Sequence, residues 1–153
     1  MKAFGSITGI ALVFVYAIGS GLWVNTGDNW YRSLNAPSWQ PPDFVFGIIW
    51  PYNFLVLGFA AVNVSQKLSS VWVLTYMGIF AITVVAALVW AYQFYRPHNL
   101  STASLALTIV AILTIPLLII TFRSSTTIGA LLIPYQLWVI TAASLSWSYA
   151  KLN

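Results

Sequence analysis

Five apolar runs occupy most of this chain, each long enough to cross a bilayer as a helix, and none contains an Asp, Glu, Lys, Arg or His. They extend from Gly5 to Val24, Phe44 to Val64, Val71 to Phe94, Ser101 to Phe122 and Ile128 to Tyr149. A soluble globule would need about 25% charged residues to coat its surface. This chain of 153 residues has 5% charged and 60% hydrophobic residues, so the bilayer must be its solvent. The runs are about twice the length of a barrel strand and do not alternate in polarity. The expected fold is an all-α membrane protein, a five-transmembrane-helix bundle forming one domain over 1–153.

Charge and composition remove several classes of function. Intramembrane ionisable groups mark proton relays and ion pathways, and their absence leaves coupled transport nothing to run on. The six cations Lys2, Arg32, Lys67, Arg96, Arg123 and Lys151 are scattered and form no nucleic-acid patch. They divide equally between the two ends of the spans, so the positive-inside rule leaves the orientation open. No cysteine is present, which removes thiol nucleophiles, disulfides and thiolate metal sites. The lone histidine, His98, falls in a connector, so axial ligation of a haem iron inside the bundle and metal binding in general are not expected. The only acids, Asp28 and Asp43, flank the first connector and make no triad. Asp28 is read as preceding structure in the loop, and Asp43 as capping the second helix, with Phe44 opening it. The first run exceeds the length of a signal-peptide core and is expected to remain as a span.

The first connector, Trp30 to Pro42, carries aromatics and prolines where a tether would carry polar residues. Prolines fix their own φ and hold the preceding residue extended, so this segment is expected to keep one shape and to cover a ligand. Rings also recur at helical spacing within the spans. Tyr135, Trp138, Ala142, Ser146 and Tyr149 form one stripe of the last span. Phe46, Trp50, Asn53, Phe54, Leu57 and Ala61 form another, and Thr83, Ala87, Trp90 and Phe94 a third. A small residue between rings leaves a notch for a flat ligand or for a neighbouring helix, and the spacing does not choose between them. Trp23, Trp72, Trp147 and Tyr149 lie near span ends and read as interfacial belts. Pro51, Pro116 and Pro134 bend their helices. Gly5 with Gly9, and Ala17 with Gly21, permit close packing within the chain or dimerisation.

Taken together, Trp30-Tyr31, Leu34, Pro37, Trp39, Pro41-Pro42, Phe46 and Trp50 around the connector, with Pro134-Tyr135, Trp138, Ala142, Leu145 and the closing Leu152-Asn153, resemble the TspO/MBR family of tryptophan-rich sensory and translocator proteins. The resemblance covers nearly the whole chain. It implies a membrane receptor or sensor, commonly a homodimer in the cell membrane, whose pocket beneath the first connector takes porphyrins and hydrophobic ligands such as isoquinoline carboxamides and benzodiazepines. The implied binding residues are Tyr31, Trp39, Pro41, Trp50, Phe54, Trp90, Trp138 and Ala142. Ala87 and Ser146 join them at positions where many members carry Asn, and Phe54 stands where Tyr is frequent, which makes this pocket the more apolar.

The resemblance leaves three functions to separate. The first is binding of a protoporphyrin-like tetrapyrrole, with its propionates meeting Arg32, Arg96 or His98. The second is light- and oxygen-dependent porphyrin breakdown, in which Trp30, Trp50 or Trp138 would exchange electrons with the excited macrocycle. The third is passive translocation of porphyrin or a sterol-like lipid, for which Leu145, Tyr149 and Lys151 meet the loose sterol-contact pattern. No obligatory cofactor is implied. The porphyrin is ligand or substrate, and the remaining partner is membrane lipid.

Overall fold

The computed structural model describes residues 1–153, which form six helices. These are α1 (Lys2–Gly21), α2 (Asn29–Ser33), α3 (Asp43–Lys67), α4 (Ser70–Tyr95), α5 (Leu100–Ser124) and α6 (Thr126–Leu152). All but α2 are long and apolar enough to cross a membrane. The expected five-helix membrane bundle is therefore the fold. Four of the five spans run past their expected limits, since a helix continues into the headgroup region where hydropathy has already fallen; α1 instead stops at Gly21, short of Val24.

The connectors are set by local chemistry. Asp28 caps α2, its carboxylate accepting from the Tyr31 N–H at 2.7 Å, so the first connector contains a helical turn as well as an extended stretch. Asp43 was expected to cap the second span. Pro42 holds that position with φ −58° and ψ 149°, and Asp43 is the first helical residue, its charge beside the positive end of the helix dipole. His98, at φ 59°, makes the left-handed turn between α4 and α5, and Asn99 caps α5 through Thr102 N–H at 3.1 Å. Ser125 ends α5 and caps α6.

α5 packs chiefly between α4 and α6, while α1 lies across α3 and α4. The glycine spacing in α1 serves contact within the chain. A Cβ on Gly9 would lie 2.4 Å from the Ala61 Cβ, and one on Gly5 would lie 2.5 Å from the Ser65 Oγ. At two of the prolines, both inside continuous helices, a side chain from a neighbouring helix binds the backbone beside the freed carbonyl. Pro134 leaves the Ala130 carbonyl without its helical partner, and the Tyr52 hydroxyl donates to the adjacent Leu131 carbonyl at 2.6 Å. Pro116 does the same to Ile112, and Gln136 Nε2 donates to the adjacent Ala111 carbonyl at 3.0 Å.

Candidate ligand-binding site

A cavity of about 390 Å³ lies in the connector half of the bundle, within the roughly 300–1,000 Å³ common for small-molecule sites. Its floor and inner wall are tryptophan. The Trp50 and Trp90 rings lie nearly parallel, 6.4 Å apart at 21°, while Trp138 stands perpendicular to Trp50 at 6.4 Å. Phe54 stacks on Trp50 at 5.7 Å, and Phe46 meets Trp138 edge-on at 5.2 Å. Beneath them the buried Tyr16 ring packs edge-on against both Trp50 and Phe54.

The fold places these rings by three separate helices. α3 contributes Phe46, Trp50 and Phe54 at steps of four, α4 contributes Trp90 and Phe94, and α6 contributes Trp138, Ala142 and Ser146. Ala142 is the notch anticipated between rings, and it opens onto the cavity. Tyr31 reaches in from α2 and meets Tyr95 at 5.9 Å and Tyr149 at 6.1 Å, so a tyrosine group roofs the tryptophan floor. The roof is fixed from α6. The Tyr149 hydroxyl donates to Gln40 Oε1, and Asn153 pairs with the backbone of Asn35.

Polar groups in the wall are few. The indole N–H groups of Trp90 and Trp138 have no hydrogen-bond partner. Ser104 donates to the Leu100 carbonyl at 2.7 Å, so in the 2.9 Å contact with Ser146 it is Ser146 that donates, leaving only acceptor lone pairs on Ser146 for a ligand. Asp43 is the one charged side chain on the wall, and with Thr26 it is exposed at the mouth.

Of the implied binding residues, Tyr31, Trp50, Phe54, Trp90, Trp138, Ala142 and Ser146 meet at this cavity. Ala87 does not, because it lies fully buried in the core one turn deeper than Trp90, below the cavity floor. Trp39 and Pro41 are also outside the wall. The Trp39 ring is 48% exposed, on the outer side of the connector. None of Arg32, Arg96 and His98 lines the cavity; all three are exposed, and the His98 ring stacks on Trp30 at 3.6 Å. That stack holds Trp30 outside the wall as well, against Phe94. Leu145 and Tyr149 are buried and face the cavity, whereas Lys151 is exposed, so the sterol-contact pattern does not form one lipid-facing strip. Tyr149 is accordingly no belt residue.

Sequence reasoning missed the contribution of α1. Ala17, Ser20 and Gly21 of α1, with Val24 and Thr26 in the segment that follows it, complete the wall. The Ala17 and Gly21 spacing was the available signal, but small residues in membrane helices more often mark helix contact than an open space. Asp43 was missed as a wall residue because an acid before an apolar run has a simpler reading as a cap.

The model of the TspO/MBR family matches residues 9–152. The chain belongs to this family. Among its relatives, the uncharacterized membrane protein YtaB of Bacillus subtilis is 30% identical over 152 residues, covering 99% of this chain and 98% of that protein. The tryptophan-rich sensory protein of Cereibacter sphaeroides is 26% identical, covering 94% of this chain and 92% of its own. The human translocator protein is 25% identical, covering 85% of this chain and 78% of its own. This TspO/MBR chain is thus an integral multi-pass membrane protein of a sensor and translocator family. With Ser146 already donating to Ser104, the buried donors without a partner on the wall are the indole N–H groups of Trp90 and Trp138.

Proposed function

We propose that this protein is a membrane receptor that binds a planar, largely apolar tetrapyrrole of the protoporphyrin class in the connector-side cavity. The observation that carries the reading is the paired Trp50 and Trp90 rings with Trp138 at right angles, beside the methyl-sized gap at Ala142. A flat macrocycle can stack on one face and meet an edge with the other, each aromatic contact adding about 0.5–1.5 kcal/mol beyond its burial. An unpaired buried N–H costs about 1–3 kcal/mol, so a ligand acceptor reaching Trp90 or Trp138 gains further.

Titration of the purified protein with protoporphyrin, read by tryptophan quenching, tests this. Saturable quenching in the wild type that is lost in Ala142→Phe is the expected result. Quenching that never saturates, or that Ala142→Phe leaves intact, means that porphyrin only partitions into the detergent and rules the site out.

A second reading is favoured by one observation, the contact of Trp50 with both other tryptophans at 6.4 Å. Light absorbed by a bound porphyrin, with dioxygen as oxidant, could draw an electron from this cluster. Trp138→Phe that still binds porphyrin but no longer bleaches it under light would support a photochemical role, and unchanged bleaching would exclude it for that residue.

A further inference from the structure

We propose that the ligand enters the cavity sideways from the bilayer, through the wall between α1 and α3, and not through the connector. This rests on the cavity being a binding site. A second void of about 610 Å³ lies on the membrane-facing side of the bundle, an apolar groove bordered by Val13 and Phe14 of α1 and by Leu55, Gly58 and Phe59 of α3. It shares two residues with the cavity, Ala17 and Phe54. The methyl group of Ala17 and the phenyl ring of Phe54 therefore stand between groove and cavity.

This partition is weakly held. The seam between α1 and α3 has one hydrogen bond between side chains, from Gln66 to Ser6 at 3.1 Å, at the end far from the cavity. There the backbones are also closest, at Gly5 and Gly9. Beside the cavity the Phe54 ring is held by apolar contact alone, with Trp50 and Tyr16 as its aromatic partners. Displacing it exchanges apolar contact with protein for apolar contact with lipid tails and costs chiefly its two aromatic contacts, about 0.5–1.5 kcal/mol each. On the connector side the opening at Thr26 and Asp43 instead presents a carboxylate to an anionic ligand, beneath a roof tied to α6 by Tyr149 and Asn153. A ligand poor in charge concentrates in the bilayer, so the groove lies where that ligand is already dissolved.

The test uses the absence of cysteine. Ala142→Cys places the sole thiol on the cavity wall, and in lipid nanodiscs its rate of labelling by the membrane-dissolved reagent N-pyrenylmaleimide reports entry. Gly58 lines the groove and not the cavity, and a Cβ there meets nothing within 4 Å, so Gly58→Trp directs an indole into the groove from open space. Gly78→Trp, at an exposed position where a Cβ also meets nothing and which lines neither void, is the control. Labelling is expected to slow about tenfold or more with Gly58→Trp, equivalent to ~1.4 kcal/mol on the entry barrier, and to stay unchanged with Gly78→Trp. Leu55→Trp, on the exposed rim of the groove, provides a second plug and should slow labelling in the same way. Wild-type labelling rates in both plugged proteins would overturn the portal. Protoporphyrin is followed in the same proteins without Ala142→Cys. Slower association and dissociation with unchanged Kd supports the portal, while a failure of porphyrin to saturate any of them removes the proposed ligand and leaves the maleimide result to decide the route.

Discussion

The side-chain amide of Asn153 pairs with both backbone groups of Asn35, accepting from its N–H at 2.8 Å and donating to its carbonyl at 3.1 Å. The end of α6 thus acts on the first connector as a neighbouring strand would, with one side chain in place of a peptide. The same Nδ2 also donates to the Tyr149 carbonyl at 3.0 Å, which ties the pair to the last turn of α6. Asn153→Ala removes these bonds, each worth about 0.5–1.5 kcal/mol. Hydrogen exchange at the Asn35 amide should then accelerate by roughly tenfold per 1.4 kcal/mol lost, while amides in the centres of α4 and α5 keep their protection.

Opposite effects are expected from alanine at two glycines. Gly9→Ala forces a methyl group to 2.4 Å from Ala61 and should destabilise the bundle by about 1–3 kcal/mol, as overpacking generally does. Gly78→Ala meets nothing within 4 Å and should stabilise α4 by about 0.5–1 kcal/mol through helix propensity. Thermal melting in one detergent should therefore move the two variants to opposite sides of the wild type.

Asp43 sets a preference at the cavity mouth. A porphyrin with ionised propionates meets a carboxylate there, whereas its dimethyl ester does not. Asp43→Asn should tighten protoporphyrin binding by about threefold to tenfold at low salt and leave the dimethyl ester unchanged, with the gain shrinking as salt screens the pair. Equal effects on both ligands would show that the propionates lie away from the mouth.

The tie across the Pro134 bend can be removed without changing shape. Tyr52→Phe deletes the hydroxyl that donates to the Leu131 carbonyl and should cost about 0.5–1.5 kcal/mol. The loss should appear as a lower midpoint of thermal unfolding, with porphyrin affinity unchanged because Tyr52 does not line the cavity.

The spans could be read from the sequence because hydropathy and helical period are local properties, and the bilayer permits few other folds. Trp50, Trp90 and Trp138 were likewise legible as inward stripes. A stripe gives the rotation of a helix and not the depth at which a cavity ends, so Ala87 shares a face with Trp90 yet belongs to the core. Charge in the connector was less informative still. Arg32 and Arg96 extend into solvent, where a flexible cation needs no protein partner, and stacking on Trp30 holds the His98 ring away from the cavity. The α1 wall and the groove behind it arise from contacts between segments distant in the chain, which no local pattern encodes.

Gly5 and Gly9 hold α1 close against α3 near one end, whereas at Gly19, towards the other, its near neighbour is the flexible tip of the Leu88 side chain. At a rise of about 1.5 Å per residue, Gly21 lies roughly 18 Å beyond Gly9, so each degree of tilt about Gly9 displaces the far end by about 0.3 Å. A tilt of a few degrees, of the size that a change in bilayer thickness imposes on a spanning helix, becomes a displacement of about an ångström at Gly21 and about two thirds of that at Ala17. A tilt of that kind would therefore alter the width of the gap beside Phe54 while leaving every helical hydrogen bond in place.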